Sequence, residues 1–234
     1  MPSIFAISDI HGDYKRFAKL LTYWDRKMPL VLVGDLIDRG DDSLKVIHMV
    51  LELKKEYGEK IITIKGNHED MFLNYLDHPR ENGELYFSNG GAETCYDFGI
   101  TENLRFMSYQ TSADILLKTR EEEIDLIRSM VPFYEFGDVL FVHAGVNRAI
   151  PDWRNTKEEE FYWMREGWKG ENTTGKVIVF GHTPTQLIHE TYSNDIWISQ
   201  DKKCIGIDGG LVFGGQLNGI VLNEKGHVQE TYAV

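Results

Sequence analysis

Residues 4–14 read IFAISDIHGDY: four apolar residues of strand character, then Asp9, His11 and Asp13 within five positions. Carboxylates and imidazoles are costly to desolvate unless something pairs with them. The same arrangement recurs in LVLVGDLIDRG (30–40), IITIKGNHED (61–70), VLFVHAG (139–145) and VIVFGHT (177–183). Five apolar runs thus stop at Asp, Asn or His, which raises the question of what partner waits at the end of each.

Working outward, residues 14–24 place Phe17, Leu20, Leu21 and Trp24 at helical spacing, and 29–33 form a second strand. Asp42-Ser43 offers an N-cap to a helix that turns Leu44, Ile47, Val50 and Leu51 inward and stops at Gly58. Residues 60–65 predict a third strand and 69–76 a helix. Strands alternating with helices imply an α/β architecture with a largely parallel early sheet, whose ligands gather at strand carboxyl ends. Every polar tail falls at that edge, so one shared site is expected.

Residues 77–130 break the rhythm. SNGGAET carries a turn signal and TREEEIDLIRSM a helical pattern, so the segment is read as a helical insertion, without chemistry of its own, that shapes substrate access. Strands are expected again at 176–180, 204–207, 216–222 and 227–232, paired antiparallel. One domain over residues 1–234 is the expectation.

Composition narrows the function. The 234 residues are 42% hydrophobic and 26% charged, within the globular range. A formal net charge of −12 with no long Lys/Arg run argues against nucleic acid as a partner and requires that anionic substrates be drawn by local charge. Cys95 and Cys204 lack CxxC spacing and read as reduced structural thiols, which points to the cytoplasm. No apolar stretch approaches the ~20 residues of a membrane span and no signal peptide is apparent, so neither export nor a membrane partner is expected.

Asp9, His11, Asp35, Asn67, His143 and His182 form a hard-to-borderline donor set, too poor in sulfur for zinc-finger chemistry and too rich in nitrogen for Ca²⁺. Two divalent ions fit it, with Mn²⁺ placed first and Fe or Zn as alternatives. Asp9 and His11, at i and i+2 of an extended segment, can grip one ion. Asp35 can bridge both at the ~3.5–4 Å of two-metal hydrolases, with Asn67, His143 and His182 on the second. His68, adjacent to Asn67 in a chain taken as extended, should face away and be free to protonate a leaving oxygen, oriented by Asp38. Arg39 is suited to phosphate oxygens.

DIHGD, GDLIDRG, GNHE, HAG and GHT, in this order from Ser8 to Thr183, resemble the signature of calcineurin-like metallophosphoesterases, and more narrowly the bacterial and phage PPP serine/threonine phosphatases. The resemblance implies an α/β fold built as a β-sandwich of two mixed sheets flanked by helices, with a dinuclear site at its edge. It implies Asp9, His11 and Asp35 on one ion and Asp35, Asn67, His143 and His182 on the other. It also implies His68 with Asp38 as the acid dyad, Arg39 with Arg165 (in Trp163-Met164-Arg165) as phosphate clamps, and Asn67 at the substrate phosphate. Two departures stand out. Asp41 replaces a common Pro, and GHT lacks the second His of nuclease-like branches.

The leading functional expectation is hydrolysis of phosphoserine or phosphothreonine in proteins by direct attack of metal-bound hydroxide. The enzymatic alternative is a symmetrical diadenosine tetraphosphate hydrolase acting on a phosphorylated small molecule. The alternative of another class is a metal-free binding module, which a missing ligand would have favoured; none is missing. Asp13 reads as a helix N-cap, Glu69 as a support or helix-dipole charge, and Asp208 in IDGG as undecided.

Overall fold

The computed structural model describes residues 1–101 and 107–234. Two five-stranded mixed sheets stack face to face. In the first, β1 (Ser3–Ile7) lies parallel to β2 (Leu30–Leu32), and β2 parallel to β3 (Ile61–Thr63). On its other side β1 pairs antiparallel with β9 (Asn218–Asn223), which β10 (Val228–Ala233) flanks, giving the order β10-β9-β1-β2-β3. The second sheet has the order β4-β5-β6-β8-β7, from β4 (Phe133–Phe136), β5 (Val139–Val142), β6 (Val177–Phe180), β7 (Trp197–Ile198) and β8 (Cys204–Gly206).

Alternation along the strands explains why they read as unbroken apolar runs. Ile4 and Ala6 of β1 join Val31, Phe141, Val179 and Ile205 in a core between the sheets, whereas Phe5 and Ile7 enter a second core under the helices. On β5, Val139 and Phe141 face the first sheet while Leu140 and Val142 pack with Ile178, Phe180, Trp153 and Phe161 on the far side. A strand buried on both faces has no polar face to show.

The helices on the first sheet are α1 (Tyr14–Leu20), α2 (Ser43–Tyr57) and α3 (Asn67–Asp77). They are covered by α4 (Pro79–Tyr86), α5 (Ala92–Asp97), α6 (Tyr109–Thr119) and α7 (Glu121–Arg128), and α8 (Glu158–Trp163) packs beside the second sheet. Asp13 caps α1, accepting from Arg16 N at 3.0 Å. Among the described residues no helix is long and apolar enough to cross a membrane.

Four expectations need correction. Asp42 makes no side-chain cap; its carboxylate takes Lys45 Nζ at 2.5 Å instead. On α2 the fully buried apolar positions are Val46, Ile47 and Val50, with Leu53 nearly so and Leu44 and Leu51 only partly buried against the core. The later strands are not uniformly antiparallel, since β5, β6 and β8 run parallel to one another. The SNGG stretch, expected as a turn, lies within the helical run as a kink at Gly90 (φ 99°), where the Gly90 carbonyl accepts from Arg39 N at 3.1 Å. A Cβ at Gly90 would come to 2.6 Å from Arg39 Cγ.

Candidate active site

Six parallel strands, three from each sheet, deliver one polar side chain apiece to a common edge. Asp9 follows β1, Asp35 follows β2, Asn67 follows β3, His143 follows β5, His182 follows β6 and Asp208 follows β8. The loops after β1 and β2 stay joined, with Asp9 N donating to Gly34 O (3.1 Å) and His11 N to Asp35 O (2.9 Å). Of the eight non-glycine residues at positive φ among those described, six lie here: Asp9, His11, Asp35, Asp38, Arg39 and His182. Each left-handed L-residue costs on the order of 1–2 kcal/mol, and such strain persists only where surrounding structure holds it.

At the centre is Asp35. Its Oδ2 is 3.5 Å from His11 Nε2, and its Oδ1 is 3.3 Å from His143 Nε2. His143 Nε2 is also 3.0 Å from Asn67 Oδ1. Both imidazoles are fixed from behind, His11 Nδ1 by Ile37 O (3.0 Å) and His143 Nδ1 by Val33 O (2.8 Å). A backbone carbonyl can only accept, so each Nδ1 carries the proton and each Nε2 points its remaining capacity at Asp35. Two groups that could each hold a cation result, His11–Asp35–His68 and Asp35–His143–His182, with ligand atoms in each within 4.8 Å of one another.

The electrostatics follow from burial. Burial, assisted by the charge on Asp208, raises the Asp9 carboxyl well above its ordinary value. Burial also lifts Asp208, to about 6. Asp35 goes the other way: burial opposes ionisation, but His143, His68 and His11 outweigh it and hold the carboxyl well below the usual range. Burial lowers both His11 and His182 to about 3, keeping them neutral. Burial would lower His143 too, yet Asp35's charge and hydrogen bond raise it to about 10. A proton on His143 and a divalent cation are therefore alternative positive partners for Asp35.

These residues fit divalent cations on grounds visible in the fold. His182 Nε2 is buried without a hydrogen-bond partner. The carboxylates of Asp9, Asp35 and Asp208 are 2–5% exposed and line one cavity of about 110 Å³ with His11, Asn67, His68 and His182. His143, fully buried, stands behind them against Asp35 and Asn67. Buried anions and lone pairs aimed at one another need a cation between them.

Asp9 lines the same cavity as His11 and Asp35 while its carboxylate accepts from Ser8 Oγ and His182 N (3.1 Å), and His68 also comes within ligand distance of His11 and Asp35. The premise about His68 changes. Asn67 and His68 open α3, so the alternation of an extended chain does not apply to them. What sets His68 apart is Asp38, whose Oδ2 holds His68 Nδ1 at 2.8 Å and leaves Nε2 buried without a partner at the cavity. Burial would lower the His68 pKa, but Asp35 and Asp38 together raise it. Arg39 reaches His11 Nε2 with Nη1 at 3.3 Å, and Arg165 lines the same cavity from the end of α8.

A family model described as calcineurin-like phosphoesterase matches residues 2–215. The chain belongs to that family. Among curated relatives of this phosphoesterase, the asymmetrical bis(5'-nucleosyl)-tetraphosphatase PrpE of Anoxybacillus flavithermus is 27% identical, covering 92% of this chain and 88% of its own. The symmetrical bis(5'-nucleosyl)-tetraphosphatase of Buchnera aphidicola is 36% identical over 52% of this chain and 42% of its own. Among solved structures, a protein proposed to be a diadenosine tetraphosphatase superposes with a TM-score of 0.68 at 18% identity, covering 100% of this chain and 95% of that one. A Saccharomyces cerevisiae serine/threonine phosphatase does so at 0.64 and 14%, covering 100% and 80%. Both structures share the two-sheet fold.

Several residues of the phosphoesterase site gave no signal in the sequence. The Asp38 carboxylate, fully buried, accepts from Tyr86 Oη of α4 (2.8 Å) and Thr94 Oγ1 of α5 (2.7 Å), so the helical segment expected to carry no chemistry supplies two of the groups that hold the His68 partner. Glu69 was legible, and it accepts from the backbone N–H of Asp35 (2.9 Å), Leu36 (2.7 Å) and Gly66 (2.9 Å), fixing the Asp35 turn. Asp208 lines the cavity with Oδ1 accepting from Gly210 N at 2.8 Å. Removing the hydroxyl by Tyr86→Phe leaves Asp38 one donor short in a buried place. We expect about 1.5–3 kcal/mol lower unfolding free energy in urea titrations; an unchanged midpoint would contradict the assigned hydrogen bond.

Proposed function

We propose that this metallophosphoesterase hydrolyses dinucleoside polyphosphates of the diadenosine tetraphosphate type. The observation that carries the substrate is the match along 92% of the chain to a bis(5'-nucleosyl)-tetraphosphatase. The geometry agrees with it, because the small carboxylate–imidazole cavity shares a wall with a larger one of about 540 Å³, room for more than a phosphoryl group. Phosphoproteins, placed first by the sequence reading, give way to the dinucleotide alternative because the curated relatives described above are named for dinucleotides.

In this reading Asp9, His11 and Asp35 would hold one divalent cation and Asp35, Asn67, His143 and His182 a second, with Mn²⁺ the ion to supply first. Such cations polarise phosphoryl oxygens and acidify water towards neutrality. Arg39 and Arg165 neutralise phosphoryl oxygens at the mouth, a local positive charge that a chain of net charge −12 otherwise lacks. Asn67 can donate its amide N–H to the same phosphoryl group while its oxygen faces His143. His68, held at Nδ1 by Asp38, presents Nε2 to the leaving oxygen and gives it a proton.

Two measurements test this. With Mn²⁺ supplied, kcat/KM on diadenosine tetraphosphate should exceed that on phosphoserine peptides by at least tenfold, and chelator should abolish both; a preference for the peptides would overturn the substrate. The products, ATP with AMP or two ADP, report where the cut falls. Second, His68→Asn should retain its metal content by elemental analysis while slowing alkyl phosphate esters about 10²-fold or more and p-nitrophenyl phosphate far less, since a good leaving group needs little protonation. Equal slowing on both would remove the acid role.

A further inference from the structure

The turn after β8 holds one large aromatic side chain out of the fold. Asp208 Oδ1 accepts from Gly210 N (2.8 Å), Gly214 N donates to Leu211 O (3.1 Å), and Gly215 N donates to Gly210 O (3.0 Å). Gly210 (φ 67°) and Gly214 (φ 84°) take the left-handed backbone that closes the turn. Leu211 anchors it in the helix-side core, whereas Phe213, two residues on, is 63% exposed. Pinning a Phe outward on a tightly bonded turn gains the fold little by burial, and the turn starts from a carboxylate of the active site.

Phe213 also stands where the two cavities meet. The small cavity and the 540 Å³ one share His11, Arg39, Val212 and Phe213. The guanidinium carbon of Arg39 lies 5.6 Å from the Phe213 ring centroid, while its Nη1 lies 3.3 Å from His11 Nε2. One arginine thus stands between the phosphate side, where its Nη1 lies, and the aromatic side, where its charge sits over the ring. Opposite, the larger cavity is walled by Asn89 and Glu93 from the kinked segment that Arg39 N bonds. The small cavity matches a phosphoryl group, and the larger lies in the size range of small-molecule sites.

From this geometry we infer that the groove between Phe213 and the 88–93 segment is a nucleoside subsite, with the base stacked on Phe213 beside Arg39. The inference rests on the dinucleotide reading and assigns the place of one nucleoside within it. An aromatic face next to a guanidinium suits the π-face of any base, and the amide oxygen of Asn89, whose Nδ2 donates to Leu85 O (2.8 Å), and the carboxylate of Glu93 supply acceptor atoms for a base edge or ribose hydroxyl. Such stacking tolerates different bases, so adenine and guanine should be accepted with little distinction.

The test uses the Mn²⁺-loaded enzyme and competitive inhibition of p-nitrophenyl phosphate turnover by AMP and by inorganic phosphate, which differ only by the nucleoside. In the wild type AMP should bind roughly tenfold or more tightly than phosphate. Phe213→Ala should close that gap by weakening AMP and leaving the phosphate constant within twofold, and Phe213→Trp should keep it open. AMP binding no better than phosphate, or a gap unchanged in Phe213→Ala, would overturn the subsite even in an enzyme that cleaves diadenosine tetraphosphate. An enzyme that fails to cleave the dinucleotide while Phe213 still governs AMP would instead sink the substrate reading and leave a mononucleotide subsite standing.

Discussion

The arrangement depends on one buried carboxylate. Asp35 has His11 at one oxygen and His143 at the other, and little else in the fold makes sense without holding it there. Its backbone is fixed by Glu69, which binds the N–H groups of Asp35, Leu36 and Gly66 at once. Gly34 and Gly66 flank it because no side chain fits: a Cβ on Gly34 would lie 2.5 Å from His143 Nδ1, and one on Gly66 would collide with Asp35 Oδ1. Burial alone would make this carboxyl neutral, and the surrounding imidazoles, His143 first and then His68, keep it ionised.

The same demand accounts for the strained backbone. Side chains leaving the ends of parallel strands point away along the sheets unless the chain turns sharply back. Left-handed conformations at Asp9, His11, Asp35, Asp38, Arg39 and His182 make those turns. Glycine would adopt them at no steric cost, but glycine has no ligand atom to offer. The fold holds these residues with backbone pairing between the β1 and β2 loops and with cores on both sides of each sheet. Stability far from the site thus maintains its geometry.

How much of this could be read from sequence follows the range of the interactions. The strands bearing the motifs are legible because burial on both faces leaves apolar runs with an abrupt polar end. β4, the edge strand FYEF, is half-buried throughout, and β7 has two residues, so neither leaves a readable pattern. Strand direction in the second sheet depends on crossovers that composition does not reveal. The polar residues at strand ends were visible, but their local contacts were not: Ser8 Oγ and His182 N donate to Asp9, and the helix beginning at Asn67 changes how His68 faces. Tyr86 and Thr94 reach Asp38 across 48 and 56 residues from the end of α4 and from within α5, where nothing local distinguishes them from ordinary packing positions.

The central proposal is that Asp35 would be shared by two cations. Crystals of the protein loaded with Mn²⁺ and measured for anomalous scattering test it most directly. We expect two peaks about 3.5–4 Å apart with the Asp35 carboxylate bridging them. A single peak, or two with Asp35 bound to neither, would contradict it.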